Sequence, residues 1–267
     1  DVPTIHKFLE KNLKEGMCLG FDGRTVSGEE ADQLKKILQK KQIRFSVNED
    51  LIGAIWQDRP ALSCEPVMEL DVKWAGKSRA DKIQEIRTKL KEKGASLFVL
   101  TSLDDIAWLL NIRGNDIHCC PVVLSYLVLD EKEIRLFANE KAFPDSVKEA
   151  LAADGVTIYP YDDIYTYVQT IPEEKKVYLS KSNVNSRLVS NIPDGVTILN
   201  GENLTLLPKA IKNETEVQNE KTAHIKDGVA MVKFIHWLKK NVGKQEITEL
   251  STADKLYEFR SMQENFQ

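Results

Sequence analysis

LDDIAWLLNIRGNDIHCCPVVLSY, residues 103–126, decides the fold. Asp104 and Asp105 open it, and their carboxylates can accept hydrogen bonds from the free N–H groups of a helix start. Ile106, Ala107, Trp108, Leu109 and Leu110 then supply one or two very apolar helical turns. Arg113-Gly114-Asn115-Asp116 breaks that pattern, since Gly and Asn tolerate the positive φ that turns need. Pro121 closes the loop, and 122–129 reads as a β-branched and aromatic strand. A helix so short and so apolar must be covered. The stretch therefore predicts a buried helix, a polar loop and a core strand.

Outward from this centre the chain alternates helix and strand. Residues 78–93 put Ile83, Ile86 and Leu90 at helical spacing among solvated charges, and Gly94 stops the helix. Residues 95–101 form a strong strand. After 122–129 the turn Asp130-Glu131-Lys132-Glu133 predicts a hairpin with 134–138. A helix at 144–153, with proline in its first turn, is followed by strands at 156–159, 176–179 and 196–199, separated by helices near 162–171 and 183–190. Five or six strands over 78–208 describe a complete α/β domain, and the early hairpin makes its sheet mixed.

Before it, 2–15 is an amphipathic helix, 17–21 a short strand, a helix follows Ser27, and 43–47 is a second strand. Two strands are too few for an independent domain, so 1–62 reads as the latter part of a larger one. Trp56 packs the following segment onto this sheet, and 63–77 reads as an extended linker. After it, Asn213 with Glu216 forms a capping box that starts a helix running to about Lys240. A second helix covers 248–264. The apolar faces at 225–238 and 250–257 need a sheet to pack on, and left alone they predict self-association.

The 267 residues are 42% hydrophobic and 29% charged, an ordinary globular composition. A net charge of −4 supplies no basic face for nucleic acid. No run is long and apolar enough for a membrane span, and the N-terminal stretch lacks a signal-peptide h-region. The 4 cysteines form no CxxC pair, which fits a reduced, cytoplasmic chain. Cys119-Cys120 beside His118 reads as two half-buried thiols in a loop rather than a metal site. His224 and His236, twelve positions apart on one helix, point about 120° apart and form no joint site.

IAWLLNIRGNDI with PVVLSY resembles the middle domain of three-domain Xaa-Pro aminopeptidases. DLIGAIWQDRP at 50–60 and KNETEVQNEKTAHIKDGVAMVKFIHWLKK at 212–240 resemble the same family in the same order. The resemblance implies an α/β fold: a creatinase/prolidase N-terminal-like mixed sheet flanked by helices at 78–208. It is preceded by part of a similar domain at 1–62 and the linker 63–77, and followed at 209–267 by the opening helices of a truncated "pita-bread" catalytic domain. It further implies that the full-length protein is a cytoplasmic metalloaminopeptidase and homodimer. Such an enzyme releases the N-terminal residue from short peptides with proline second, using two divalent ions, Mn²⁺ or Zn²⁺.

The family's DSG…TTD-like and GHGVG-like metal-binding segments do not occur in this sequence. No catalytic or metal-binding residue is therefore carried over, and this part of the enzyme is expected to be inactive, to gate substrate size and to support oligomerisation. HExxH, GxxxxGK[ST] and GxSxG are likewise missing. Asp104-Asp105 is explained by helix capping. Arg113 remains the one candidate contact, to a substrate carboxylate or a neighbouring domain, against an internal salt bridge with Asp116. The alternative is a creatinase-like module that has lost its metals and binds peptides or proteins. IWQDRP and AHIKDGVAMVKF favour the enzyme lineage.

Overall fold

The computed structural model describes residues 2–266. By contacts it divides into one unit of residues 1–71 with 77–211 and a second of 72–76 with 212–267.

In the first unit, α1 (Ile5–Asn12), β1 (Cys18–Gly20), α2 (Gly28–Gln39) and β2 (Arg44–Ser46) come first, and β1 and β2 pair in parallel. Then follow β3 (Met68–Glu69), α4 (Arg79–Glu92), β4 (Leu97–Leu100), α5 (Leu103–Leu110), β5 (Ile112–Arg113), β6 (Ser125–Asp130) and β7 (Ile134–Ala138), with α3 (Val72–Ala75) lying in the second unit. α6 (Asp145–Ala153), β8 (Val156–Pro160), α7 (Asp163–Gln169), β9 (Lys176–Leu179), α8 (Ser186–Asn191), β10 (Thr197–Asn200) and α9 (Leu206–Ala210) complete it. Six strands form one mixed sheet in the order β10-β9-β4-β6-β7-β8.

Both faces of this sheet are covered, and the strand alternation shows how. Phe98 and Leu100 of β4 pack with Ile83 and Ile86 of α4 and Ile106, Leu109 and Leu110 of α5. Leu97 and Val99 face the other way, toward Ile164 and Val168 of α7 and Leu188 of α8. Six of the eight α5 residues are buried. Each such large apolar side chain contributes about 1.5–3 kcal/mol when fully buried.

The carboxyl end of α5 is the most constrained point. Asn111 takes the left-handed conformation (φ 51°, ψ 44°) that ends the helix. Lys82 of α4, only 2% exposed, donates to the Trp108 carbonyl at 3.0 Å and to Asn111 Oδ1 at 2.7 Å, and lies over the Trp108 ring at 4.5 Å. Arg79, one turn earlier, donates to the Leu110 carbonyl at 2.6 Å and the Ala150 carbonyl at 2.9 Å, and pairs with Glu69 and Asp154. Asn111 Nδ2 donates to the Lys77 carbonyl, and its own carbonyl accepts from Leu70 N–H. Two cations thus donate to carbonyls at the helix end, where the Trp108 carbonyl also takes the Asn111 N–H.

The loop after α5 departs from the sequence reading in two ways. Positive φ falls on Asn111 and Cys119, not on Gly114. Gly114 is needed for space: a Cβ there would stand 2.8 Å from Val123 Cγ2 and 2.9 Å from the Val122 carbonyl oxygen. The strand expected from 122 begins at Ser125, because 121–124 lie along the loop, where Leu124 N–H donates to Asp116 Oδ2 at 2.7 Å.

Residues 63–77 are also more than a linker. β3 pairs antiparallel with β5, Val67 N–H donates to the Ala142 carbonyl, and Asn139 Nδ2 donates to the Ser63 carbonyl. The first segment joins the same compact unit through α8. Ser186 N–H donates to the Val26 carbonyl at 2.7 Å and Gly28 N–H to the Val184 carbonyl at 2.8 Å. Below this seam Asn185 Nδ2 donates to the Tyr165 hydroxyl, which bonds that of Tyr126 at 3.0 Å. Trp56, expected to pack inward, is half-exposed with the Arg59 guanidinium over its ring.

In the second unit, α10 (Glu214–Asn241) begins with the expected capping box at Asn213 and Glu216. It runs against α11 (Glu249–Ser261), with Arg260 bonded to Asp227 at 2.7 Å and Lys226 to the Glu264 carbonyl at 2.8 Å. Asn213 and Asn219 donate to the Ala75 and Trp74 carbonyls of α3. Ile225, Val229, Val232, Ile235, Leu250 and Tyr257 are exposed.

Arg79→Ala removes the partner of the buried Leu110 carbonyl and of two carboxylates together. It is expected to lower unfolding stability by about 3 kcal/mol, read as the shift in urea midpoint at unchanged m-value. Arg79→Lys recovers only part, since one ammonium lacks the guanidinium fork.

Candidate functional site

β4, β9 and β10 run parallel, so their carboxyl ends lie along one edge of the sheet. In open α/β sheets this edge is where ligands are held. Here it carries a cleft of about 280 Å³, walled by residues just beyond the three strands and by the first turns of α5 and α9. Ser102 follows β4; Ser180, Ser182 and Asn183 follow β9; Glu202 and Asn203 follow β10.

Asn203 Nδ2 donates to Ser102 Oγ at 2.8 Å and to Asp105 Oδ2 at 2.9 Å. Lys209 of α9 lies 2.6 Å from Asp105 Oδ1 and also pairs with Asp104. Asp105 is 3% exposed, and Lys209 is its charged partner there. Burial opposes ionisation of Asp104, but the Lys209 ammonium outweighs it and holds the carboxyl below the usual range. Burial likewise disfavours charged Lys209, and the two carboxylates reverse this and raise its pKa.

Asp104 and Asp105 thus lie in the first turn of α5, as the sequence suggests, but tie α5 to α9. Lys209 is 105 positions from Asp104, and no local pattern announces that pairing. Ser102 takes the N-cap position without a side-chain cap bond.

The Asp104 and Glu202 carboxylates on the walls of the cleft can receive hydrogen-bond donors. It holds no activated nucleophile: Ser180 Oγ bonds Ser182 Oγ and Asn183 Oδ1, neither of which is a base. Among the described residues no three His, Cys, Asp or Glu side chains stand together as a metal ion would require. No helix among them is long and apolar enough to cross a membrane.

Arg113 lies apart from this cleft. Its Nη1 donates to the Ala107 carbonyl at 3.1 Å and the Ile112 carbonyl at 2.8 Å, fastening β5 to α5. Asp116, the salt-bridge partner suggested by the sequence, instead receives the Leu124 amide. His224 and His236 are exposed on α10, where His224 lies 3.8 Å from Glu220.

The mixed six-stranded sheet with helices on both faces is the creatinase/prolidase N-terminal fold, and residues 58–216 match that family. The chain belongs to the creatinase/prolidase N-terminal domain family. The relatives it matches along its whole length are Xaa-Pro aminopeptidases. It is 35% identical to Xaa-Pro aminopeptidase 1 of Dictyostelium discoideum, over 99% of this chain and 44% of that protein. A probable Xaa-Pro aminopeptidase P of Neurospora crassa is 34% identical, over 100% of this chain and 41% of its own length. The crystal structure of an X-prolyl aminopeptidase from Caenorhabditis elegans, described as a cytosolic enzyme with a di-nuclear active site, superposes with a TM-score of 0.91 at 31% identity. That match covers 100% of this chain and 45% of the other. The chain therefore spans less than half the length of these relatives.

Lys209→Met separates the electrostatic part of the α5–α9 tie. Asp104 has a lowered folded pKa, so its contribution is complete above about pH 4 and is lost as pH falls through the folded value. Lys209 has a raised folded pKa, so its contribution is complete below about pH 10 and is lost as pH rises through the folded value. The Tm difference between wild type and Lys209→Met is expected to be largest and flat from about pH 5 to 9 and to shrink at both extremes.

Proposed function

We propose that this chain is the non-catalytic N-terminal portion of an Xaa-Pro aminopeptidase. The whole protein releases the first residue of short peptides with proline in second position. Its two divalent metals, Mn²⁺ or Zn²⁺, are held by a part of the protein outside residues 1–267, and it works in the cytoplasm. The observation that carries this reading is the match of all of this chain to 45% of the Caenorhabditis elegans enzyme, with a TM-score of 0.91. On this reading the present residues limit substrate size and support a homodimer. The exposed apolar positions of α10 and α11 supply surface for such association. Arg113, half-buried in β5, is a contact to a neighbouring domain or to a substrate carboxylate.

The test is a Mn²⁺-supplemented assay on a short Xaa-Pro-Xaa peptide, with residues 1–267 beside the full-length gene product. Activity in the long form only is expected. No activity in either form contradicts the proposal and leaves a peptide-binding module, and activity in 1–267 alone contradicts the assignment of a non-catalytic role. Arg113→Ala in the full-length enzyme is expected to raise KM or lower Tm; unchanged kinetics and stability would remove Arg113 from the account.

A further inference from the structure

We propose that Cys119 and Cys120 form a bidentate thiol site that captures trivalent arsenicals. The two residues sit in the loop between α5 and β6, in a turn closed by Cys120 N–H donating to the Ile117 carbonyl at 3.0 Å. Both are free thiols; Cys119 is exposed and Cys120 half-buried. In extended backbone, adjacent side chains point to opposite faces. Cys119 instead has φ +59°, a left-handed conformation that breaks this alternation. The turn rests on a fixed base, with Gly114 wedged under Val123 and Leu124 N–H bonded to Asp116.

Geometry selects the ligand. A direct disulfide between neighbours would join Cα atoms about 3.8 Å apart, shorter than the range of about 4.4–6.8 Å that unstrained disulfides use. The closed ring is strained and readily reduced, so the pair stands as a dithiol against the glutathione pool. A third atom between the sulfurs enlarges the ring and relieves that strain. Thiolates are soft ligands and favour a soft centre. Zinc would need four ligands, and among the described residues no group of three is placed for a metal ion. A trivalent aryl arsenical carries its own third substituent and needs only two sulfurs.

The reaction balances without an oxidant. An arsenoxide, R–As=O, reacts with the two thiols; two As–S bonds form, the As=O bond is broken, and the oxygen leaves as water with both thiol protons. Arsenic stays trivalent. Cys18 on β1 and Cys64 before β3 are single thiols, and an adduct on either lacks the second bond and yields to excess monothiol.

Intact-mass measurement of the chain treated with phenylarsine oxide in excess glutathione tests this. One equivalent is expected to remain bound, to survive Cys18→Ser and Cys64→Ser, to be lost in Cys119→Ser and in Cys120→Ser separately, and to be removed by 2,3-dimercaptopropanol. Unchanged near-UV circular dichroism in both serine variants excludes unfolding as the cause of loss. Retention in either variant, or no retained adduct in the wild type, would overturn the proposal.

Discussion

The carbonyls at the end of α5 must be satisfied inside the protein, and the two cations of α4 do it. A buried helix end without partners costs the full desolvation of each polar group, about 1–3 kcal/mol. Lys82 and Arg79 meet that demand at the Trp108 and Leu110 carbonyls and at the Asn111 side chain. From this point the chain turns through Asn111 into β5, which receives β3, while Leu70 N–H reaches back to the Asn111 carbonyl. Removing the charges would loosen a helix that gives Ile106, Trp108, Leu109 and Leu110 to the core.

The same helix supplies the cleft at its other end. Its first turn lies where three parallel strands finish, and Asp104 and Asp105 face Lys209 across the gap. This open edge holds a polar cavity in which Ser180 bonds Ser182 and the Asn183 side-chain amide.

Most of the fold was legible in the sequence because its signals are local. The capping box at Asn213 and Glu216, the hairpin between 125–130 and 134–138, and the buried face of Ile83, Ile86 and Leu90 need only short-range pattern. What escaped depends on distant partners. β3 is two residues long and has no strand pattern of its own; it exists because β5 presents free backbone groups. Gly114 reads as a turn glycine, yet its role is steric and appears only when Val122 and Val123 fold back over it. Lys82 reads as one of many solvated charges on α4, and its burial follows from where α5 ends. The cleft's pairing of Lys209 with Asp104 and Asp105 joins positions about 105 residues apart, beyond any local reading.

The most direct measurement of the account is amide hydrogen exchange on wild type and Lys82→Met, a change that keeps most of the buried volume and removes the charge. If the Lys82 ammonium holds the end of α5, amides of 110–124 will exchange markedly faster in the variant through local opening, while those of β4 and β6 keep their rates relative to global unfolding. Identical protection of 110–124 in both proteins would contradict it.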